Sequence, residues 1–203
     1  MDAAVQHRSA AAPKQARSRA RRQALIEHGA TLLETADLDE LSVAEITGAL
    51  GYSTGSFYSY FDDKEAFFVA VQHWVNEDLE RDFARIFGGR RLTDASLEDR
   101  LTAALDFTLG YFRRRTGVIR SALRYERRIP AGWAPNRART MAVIEAASEN
   151  LDAARRERLE TALQLAFGML VNALLHDPGP LRLADDQLAP RIREALGPYL
   201  RES

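Results

Sequence analysis

The stretch that decides the fold is residues 41–65, which read LSVAEITGALGYSTGSFYSYFDDKE. Ser42, with Glu45 three positions later, forms the pattern of a capping box and predicts that a short helix begins there. Gly51 is expected to end that helix, and Ser53 or Thr54 to cap a second one. Two short helices that meet at a glycine turn are typical of a helix-turn-helix, although an ordinary helical hairpin gives the same pattern.

Helical periodicity continues on both sides of this stretch, and strand patterns are nearly absent, so we predict an all-α protein. A first helix is expected over residues 17–36. Asp62 or Asp63 is expected to cap a long helix over 64–87, which is long enough to join two domains. Further helices are predicted at 96–115, 118–126, 136–151, 155–175 and 185–200. The predicted organisation is a flexible basic arm at 1–16, a three-helix domain at 17–65 and a larger helical domain at 66–203.

Composition argues against an enzyme. Cysteine is absent from the 203 residues, which excludes disulfides, thiolate zinc sites and cysteine nucleophiles. The four histidines lie far apart without metal-ligand spacing, and no glycine-rich phosphate loop occurs. We therefore expect no catalytic residue, no metal and no cofactor. No apolar run approaches the roughly 20 residues that span a bilayer, and no signal peptide is evident, so we expect a cytoplasmic protein without a membrane partner.

Positive charge is concentrated near the N-terminus, although the formal net charge is -1. The basic side chains of residues 8–22, among which no acid occurs, are Arg8, Lys14, Arg17, Arg19, Arg21 and Arg22. Such a run is typical of an arm that binds nucleic-acid phosphates, and a solvated tail gives the same pattern.

The run from Gly51 to Phe61, GYSTGSFYSYF, followed by Lys64-Glu65, resembles the signature of the TetR family of transcriptional regulators. Leu25-Ile26, Ala30 and Leu32 fit the first helix of that family, and Ser42-Val43 with Ile46 fit the start of its second. The resemblance covers about residues 20–68. Leu33, Asp37, Thr47, Leu50 and Tyr52 depart from the family pattern by changes of size in a small core or turn, and the motif itself is kept.

The resemblance implies that the second short helix reads double-stranded operator DNA. Tyr58 and Lys64 would contact phosphates, and hydroxyl groups would face bases or backbone. With the arm, the expected DNA-binding residues are Arg17, Arg19, Arg21, Arg22, Ser42, Ser53, Thr54, Ser56, Tyr58, Ser59, Tyr60 and Lys64. Residues 38–65 carry one lysine against six acids, so phosphate attraction is expected to depend on the arm, on hydroxyls and on backbone N–H groups.

The resemblance further implies that the C-terminal domain binds a small molecule and dimerises. Aromatic and apolar side chains suit a mostly apolar ligand, and the residues expected to bind it are Phe107, Tyr111, Leu123, Tyr125, Trp133, Met141 and Phe167. Apolar stripes on two helices predict a dimer interface at Leu159, Leu163, Leu170, Leu174, Leu188, Ile192 and Leu196. Both sets also suit an ordinary core. Arginines between residues 113 and 128 leave an anionic ligand open, although a solvated face explains them as well.

Together these features predict a ligand-responsive regulator that binds a palindromic operator as a homodimer, represses, and is released by a small molecule. The alternative left open is a helical interaction module without sequence-specific DNA binding.

Overall fold

The computed structural model describes residues 3–88, 92, 94–176 and 179–201, and only the backbone of residues 3–13, 78, 130–133 and 135. These residues form nine α-helices and no strand, which confirms the predicted all-α class. The helices are α1 (Ala3–Leu33), α2 (Val43–Gly48), α3 (Thr54–Tyr58), α4 (Lys64–Phe87), α5 (Leu97–Arg114), α6 (Thr116–Arg124), α7 (Pro130–Ala147), α8 (Ala153–Leu175) and α9 (Leu188–Arg201). None of the helices over these residues combines the length and apolarity needed to cross a membrane.

The predicted capping signals of the N-terminal part are confirmed. Ser42 and Glu45 form the complete capping box of α2, with the Ser42 N–H donating to Glu45 Oε2 at 2.7 Å. Ser53 caps α3, and Asp63 caps α4 by accepting from the Ala66 N–H at 2.7 Å. These bonds satisfy backbone donors that the first turn of a helix leaves without partners.

Helix α1 begins 14 residues before the expected start, and it ends at Leu33 rather than Ala36. The expected flexible arm therefore has a helical backbone from Ala3 onward. Six of the 14 residues 3–16 are alanine, which has the highest helix propensity, and the expectation of a flexible arm was based on charge instead. Helix α7 likewise begins at Pro130, six residues before the expected start at residue 136, because proline is favourable in the first turn of a helix.

The N-terminal core contains three phenylalanine rings. Phe57, Phe61 and Phe67 have ring centroids 5.1–5.4 Å apart, and each side chain is at most 4% exposed. Gly29 allows α1 to approach α4, because a Cβ at that position would lie 2.1 Å from the Phe67 ring. Helix α3 packs against α2 and, through Phe57 and Phe67, against α4, which orients its polar face outward.

The C-terminal part packs around α5, which contacts α4, α6, α7, α8 and α9. Helix α4 also contacts both α1 and α7, so it belongs to the cores of both halves. A displacement of α4 relative to one half would therefore alter its packing in the other half.

Candidate DNA-binding surface and ligand cavity

The turn between α2 and α3 requires glycine. Gly51 has a φ of 67°, in the left-handed region that other residues rarely adopt. Ser53 Oγ then accepts from the Ser56 N–H at 3.2 Å and lies 3.1 Å from Ser56 Oγ. Ser59 Oγ donates to the Ser56 carbonyl at 2.7 Å. These three serines therefore make local bonds that shape α3 while they remain on its outer side.

The outward face of α3 carries polar and aromatic groups. Thr54, Gly55 and Ser59 are exposed, and Tyr58 is 58% exposed although it is a large ring. Phe57 between them is buried, and its ring lies edge-on to Tyr58 with the centroids 5.3 Å apart. A Cβ at Gly55 would meet only Ser53 Oγ, at 3.7 Å. The helix thus presents a slim, uncovered surface, as a helix that enters the major groove must.

A basic groove lies beside this surface, where α1 meets the end of α3. Its lining residues are Lys14, Arg17, Ser18, Arg21 and Tyr60, among which there is no acid. Ser18 Oγ lies 3.4 Å from the Tyr60 hydroxyl, which links α1 to the residues that follow α3. Three cations around two hydroxyl groups form a surface suited to DNA phosphates.

Two arginines of α1 are held by aromatic rings. The Arg21 guanidinium lies 5.8 Å from the Tyr52 ring centroid, and that of Arg22 lies 5.2 Å from the Phe61 ring centroid. Both side chains remain exposed, as does Arg19. The structure therefore places the four expected arginines on an exposed part of α1, two of them restrained by cation–π contacts.

Lys64 is placed differently from the sequence expectation. Its ammonium group donates to the carbonyls of Leu38 at 2.9 Å, Leu41 at 2.7 Å and Asp39 at 3.4 Å, all in the loop between α1 and α2. An ammonium group has three N–H donors, and three protein acceptors surround this one. The structure therefore places Lys64 in a clasp that ties the start of α4 to this loop, and its expected phosphate contact stays a prediction. Ser42, also expected at the DNA, serves as the exposed cap of α2.

At least four of the six acids in residues 38–65 have structural partners. Hydrogen bonds from Ser42 lower the pKa of Glu45, and Asp63 caps α4. Arg128, beyond α6, pairs with Asp39 at 2.8 Å and with Glu65 at 3.1 Å. Hydrogen bonds from Arg128 and then from Tyr125 hold the pKa of Asp39 below its usual value.

Helix α6 forms a junction with the end of α1. The Gly117 N–H donates to Glu34 Oε2 at 3.1 Å, and a Cβ at Gly117 would lie 1.8 Å from the Leu33 carbonyl oxygen. Asp37 pairs with Arg124 and lies 3.7 Å from the Arg120 Nε. Three of the arginines between residues 113 and 128, for which the sequence left an anionic ligand or a solvated face open, instead join the two halves of the chain. They are Arg120, Arg124 and Arg128.

A cavity of about 130 Å³ lies among α5, α6, α7 and α8. Its walls are mainly apolar and aromatic, with a few polar groups, as in sites for small molecules. The lining residues are Phe107, Thr108, Tyr111, Phe112, Ile119, Asn136, Arg139, Thr140, Val143, Phe167 and Val171.

Three of the seven expected ligand residues, Phe107, Tyr111 and Phe167, line this cavity. Met141 is 59% exposed in an open groove between α7 and α8. Tyr125 lies at the junction beside Asp39 and Arg128.

Leu123 of α6 is also absent from the cavity's lining, and the Trp133 side chain lies outside the described residues. Asn136, Arg139 and Val143 were missed. Their spacing of three, four and seven residues puts them on one face of α7, and this spacing is the signal that could have found them.

A chain of buried hydrogen bonds runs from the cavity to α4 and α6. The Tyr111 hydroxyl donates to Asn136 Oδ1 at 2.9 Å, and Asn136 Nδ2 donates to Gln72 Oε1 at 2.8 Å. Gln72 Nε2 donates to the Val118 carbonyl at 3.1 Å. Burial raises the pKa of Tyr111, which keeps its hydroxyl protonated and able to donate. The cavity wall is therefore connected directly to α4, the helix that also packs in the N-terminal core.

The expected dimer residues all lie in the chain's own core. Leu159, Leu163, Leu170, Leu174, Leu188, Ile192 and Leu196 are each at most 8% exposed. The stripes of α8 and α9 pack against α5 and against each other, so these side chains are not available to a second copy. The expected interface is corrected accordingly.

No group of three or more histidine, cysteine or acidic side chains in the described part of the chain is placed to hold a metal ion.

Residues 25–71 match the family model described as "Bacterial regulatory proteins, tetR family". This match covers the capping box of α2, helix α3 and the first third of α4, and it confirms the resemblance found in the sequence. No curated protein matches the chain.

Solved structures resemble the fold as a whole. A tetR-family transcriptional regulator from Streptomyces coelicolor is 21% identical with a TM-score of 0.61, covering 89% of this chain and 79% of that one. A TetR transcriptional regulator from Rhodococcus sp. RHA1 is 21% identical with a TM-score of 0.53, covering 94% and 99%. The TetR family transcriptional regulator PfmR from Thermus thermophilus is 20% identical with a TM-score of 0.56, covering 87% and 97%. These likenesses show the fold, a helix-turn-helix domain followed by a helical C-terminal domain.

Proposed function

We infer that this chain, whose residues 25–71 match the tetR family of bacterial regulatory proteins, is a transcriptional regulator whose DNA binding responds to a small molecule. The observation that carries this inference is the uncovered face of α3 beside the basic groove. A protein of this kind acts where the DNA is, in the bacterial cytoplasm.

The DNA surface is proposed to combine base readout with phosphate contacts. Thr54, Tyr58 and Ser59 at the exposed face of α3 are suited to bases and to the backbone of one groove. Arginines of α1 and the groove around Tyr60 are suited to the flanking phosphates. The expected residues other than Lys64 therefore stay in the proposed site: Arg17, Arg19, Arg21, Arg22, Ser42, Ser53, Thr54, Ser56, Tyr58, Ser59 and Tyr60.

We propose a homodimer on a palindromic operator, because α3 is only five residues long and one such helix makes few base contacts. The interface is assigned to the outer faces of α8 and α9, which are neighbours. Leu165 of α8 is 49% exposed and Tyr199 of α9 is 38% exposed, and both are large apolar side chains. Large exposed apolar groups on adjacent helices are typical of surfaces that pair.

The proposed response to ligand runs through α4. A ligand in the cavity contacts Tyr111 and Asn136, whose hydrogen bonds continue to Gln72 of α4. A ligand that binds better to one position of α4 than to another shifts the protein toward that position. Because α4 follows α3 directly, this shift changes the spacing of the two α3 helices in a dimer. Release from the operator, and hence relief of repression, is the proposed outcome.

The domains proposed on this basis are a basic arm at 1–16, a DNA-binding domain at 17–65 and a ligand and dimer domain at 66–203. The arm is kept as a unit because of its positive charge, although its backbone is helical from Ala3.

Selection of binding sites from random DNA tests the proposal. We expect an inverted repeat to be enriched, bound by two copies of the chain, with affinity that falls steeply as salt rises. Thr54→Ala should alter base preference at particular positions, whereas Arg17→Ala should weaken binding to all sequences alike. The matched control is Arg137→Ala on α7, outside both proposed surfaces, which should change neither. Enrichment of no sequence, with equal binding to all DNA or none, would favour the helical interaction module instead.

A further inference from the structure

We propose that the C-terminal cavity binds a small monoaromatic carboxylate, whose ring packs among the phenylalanines and whose carboxylate accepts a hydrogen bond from Arg139. This proposal rests on the proposed function, because it names the chemical class of the regulator's ligand.

Size and wall chemistry favour one aromatic ring. The cavity volume of about 130 Å³ is close to that of apolar protein cavities of roughly 150 Å³ that hold benzene. Phe107, Phe112 and Phe167 supply aromatic surface, and Ile119, Val143 and Val171 supply aliphatic surface. Fused ring systems and long acyl chains exceed this space.

The hydroxyl donors of the wall are already used within the protein. Thr108 donates to the Ala104 carbonyl and Thr140 to the Asn136 carbonyl, at 2.8 and 3.1 Å. Tyr111 donates to Asn136 Oδ1. Arg139 Nε, in contrast, is buried and has no hydrogen-bond partner. A buried N–H of a cation is costly without an acceptor, so the wall is complementary to an anionic acceptor.

Arg139 is the only charged residue among the described residues that line the cavity. Glu80 pairs with Arg139 Nη2 at 3.1 Å, but the Glu80 side chain is 73% exposed whereas that of Arg139 is 16% exposed. Solvent therefore screens this carboxylate, and the Nε side of the guanidinium remains unmatched. The guanidinium is also held 5.2 Å from the Phe83 ring centroid, which fixes its position before a ligand arrives.

Cationic and neutral aromatic ligands fit less well. A protonated amine would meet the guanidinium with like charge, and an amide would offer a weaker, uncharged acceptor. Of these three classes of aromatic ligand, the carboxylate matches the volume, the aromatic wall and the unpartnered donor together.

Calorimetric titration of the full chain, free of DNA, provides the test. The probes are benzoate, benzamide and benzylamine, which share a ring and differ in charge. We expect benzoate to bind at least ten times more tightly than benzamide, and benzylamine not to bind at millimolar concentration. Equal binding of benzoate and benzamide, preferential binding of benzylamine, or no benzoate binding at millimolar concentration would each overturn the proposal.

Variants on one helix then assign the contact. Arg139→Met should weaken benzoate binding at least tenfold and leave benzamide binding within twofold. Arg137→Met is the matched control, because Arg137 is an exposed arginine of α7 that pairs with Glu126, and it should bind benzoate like the natural chain. Arg139→Lys keeps the charge without the Nε donor, and an intermediate affinity is expected. If Arg139→Met fails to fold, the Arg139→Lys result decides, and unchanged benzoate affinity in that variant overturns the proposal.

Failure of this proposal and failure of the proposed function have different signatures. Benzoate binding is measured on the free protein, and DNA binding by selection from random sequence without ligand. Specific DNA binding without benzoate binding refutes the ligand class alone. Benzoate binding without specific DNA binding refutes the regulator and leaves the ligand class standing.

Discussion

Replacing each of the two lysines of this chain separates a structural cation from a DNA-binding one. The only lysines are Lys14 and Lys64. Lys14 lines the exposed basic groove, whereas the Lys64 ammonium donates to loop carbonyls at 2.7 and 2.9 Å, with a third at 3.4 Å. Methionine keeps the length of a lysine stem and removes the charge. Lys64→Met should therefore lower stability, and Lys14→Met should lower DNA affinity.

The expected size follows from the two short bonds. A hydrogen bond to a charged group contributes about 1.5 kcal/mol or more when well formed. Lys64 is partly exposed, so solvent replaces part of this, and we expect a loss of about 2 kcal/mol in the free energy of unfolding. For a chain of this length that loss lowers the melting temperature by roughly 4–8 °C. Lys14→Met should leave the melting temperature unchanged and reduce the salt dependence of DNA binding by about one phosphate contact.

Two assays are needed. Circular dichroism during urea unfolding gives the free energy of unfolding, and fluorescence anisotropy with a selected operator at several salt concentrations gives the DNA affinity and its salt dependence. DNA binding is measured at a temperature where both variants are folded. The clasp is refuted if the Lys64→Met variant has the same free energy of unfolding as the unchanged chain, while the salt dependence of its DNA binding falls by about one phosphate contact. In that case Lys64 reaches a phosphate, as the sequence resemblance implied.

Three further changes have defined outcomes. Gly55→Ala should preserve stability, because the added Cβ meets only Ser53 Oγ at 3.7 Å, while operator affinity in gel shifts falls about tenfold as the methyl group approaches the DNA. Arg100→Met should cost about 3 kcal/mol in urea unfolding, because this 1% exposed side chain donates from Nη1 at 2.8 Å to each of two carbonyls at the end of α7. Asp39→Asn should lower the melting temperature at neutral pH. Since the folded pKa of Asp39 is depressed, its contribution is present above the unfolded pKa of about 4 and is lost as the pH falls through the folded pKa, so the two melting temperatures should converge below that folded pKa.

The N-terminal elements were predictable because their signals are local. The Ser42–Glu45 box, the Ser53 cap and Gly51 each act through bonds or dihedral angles within a few residues. The start of α1 at Ala3 was not predicted, because the positive charge of residues 8–22 indicated a flexible arm although the alanine-rich segment has a high helix propensity.

The C-terminal assignments failed where they depended on partners distant in sequence. An apolar stripe such as Leu163–Leu170 on α8 shows that a face is buried, but not whether its neighbour is α5 or a second copy. Met141 was selected for its type, yet it is one position beyond Thr140 and so lies about 100° around α7 from the cavity face. Arg139 was missed because its role depends on α4, α5 and α8 together.

The loop between α1 and α2 is held from two sides, and this suggests how the cavity and the DNA surface communicate. Lys64 of α4 donates to its carbonyls, while Arg124 and Arg128 pair with its Asp37 and Asp39. Helix α2 starts directly after this loop and braces α3, so the orientation of α3 depends on both α4 and the α6 region. The hydrogen-bond chain from the cavity ends on the same two helices, at Gln72 of α4 and the Val118 carbonyl of α6. A ligand that separates Gln72 of α4 from the Val118 carbonyl of α6 would move α4 and α6 by different amounts. The loop held by both helices would then shift and tilt α3. A ligand that keeps this hydrogen bond would leave DNA binding unchanged.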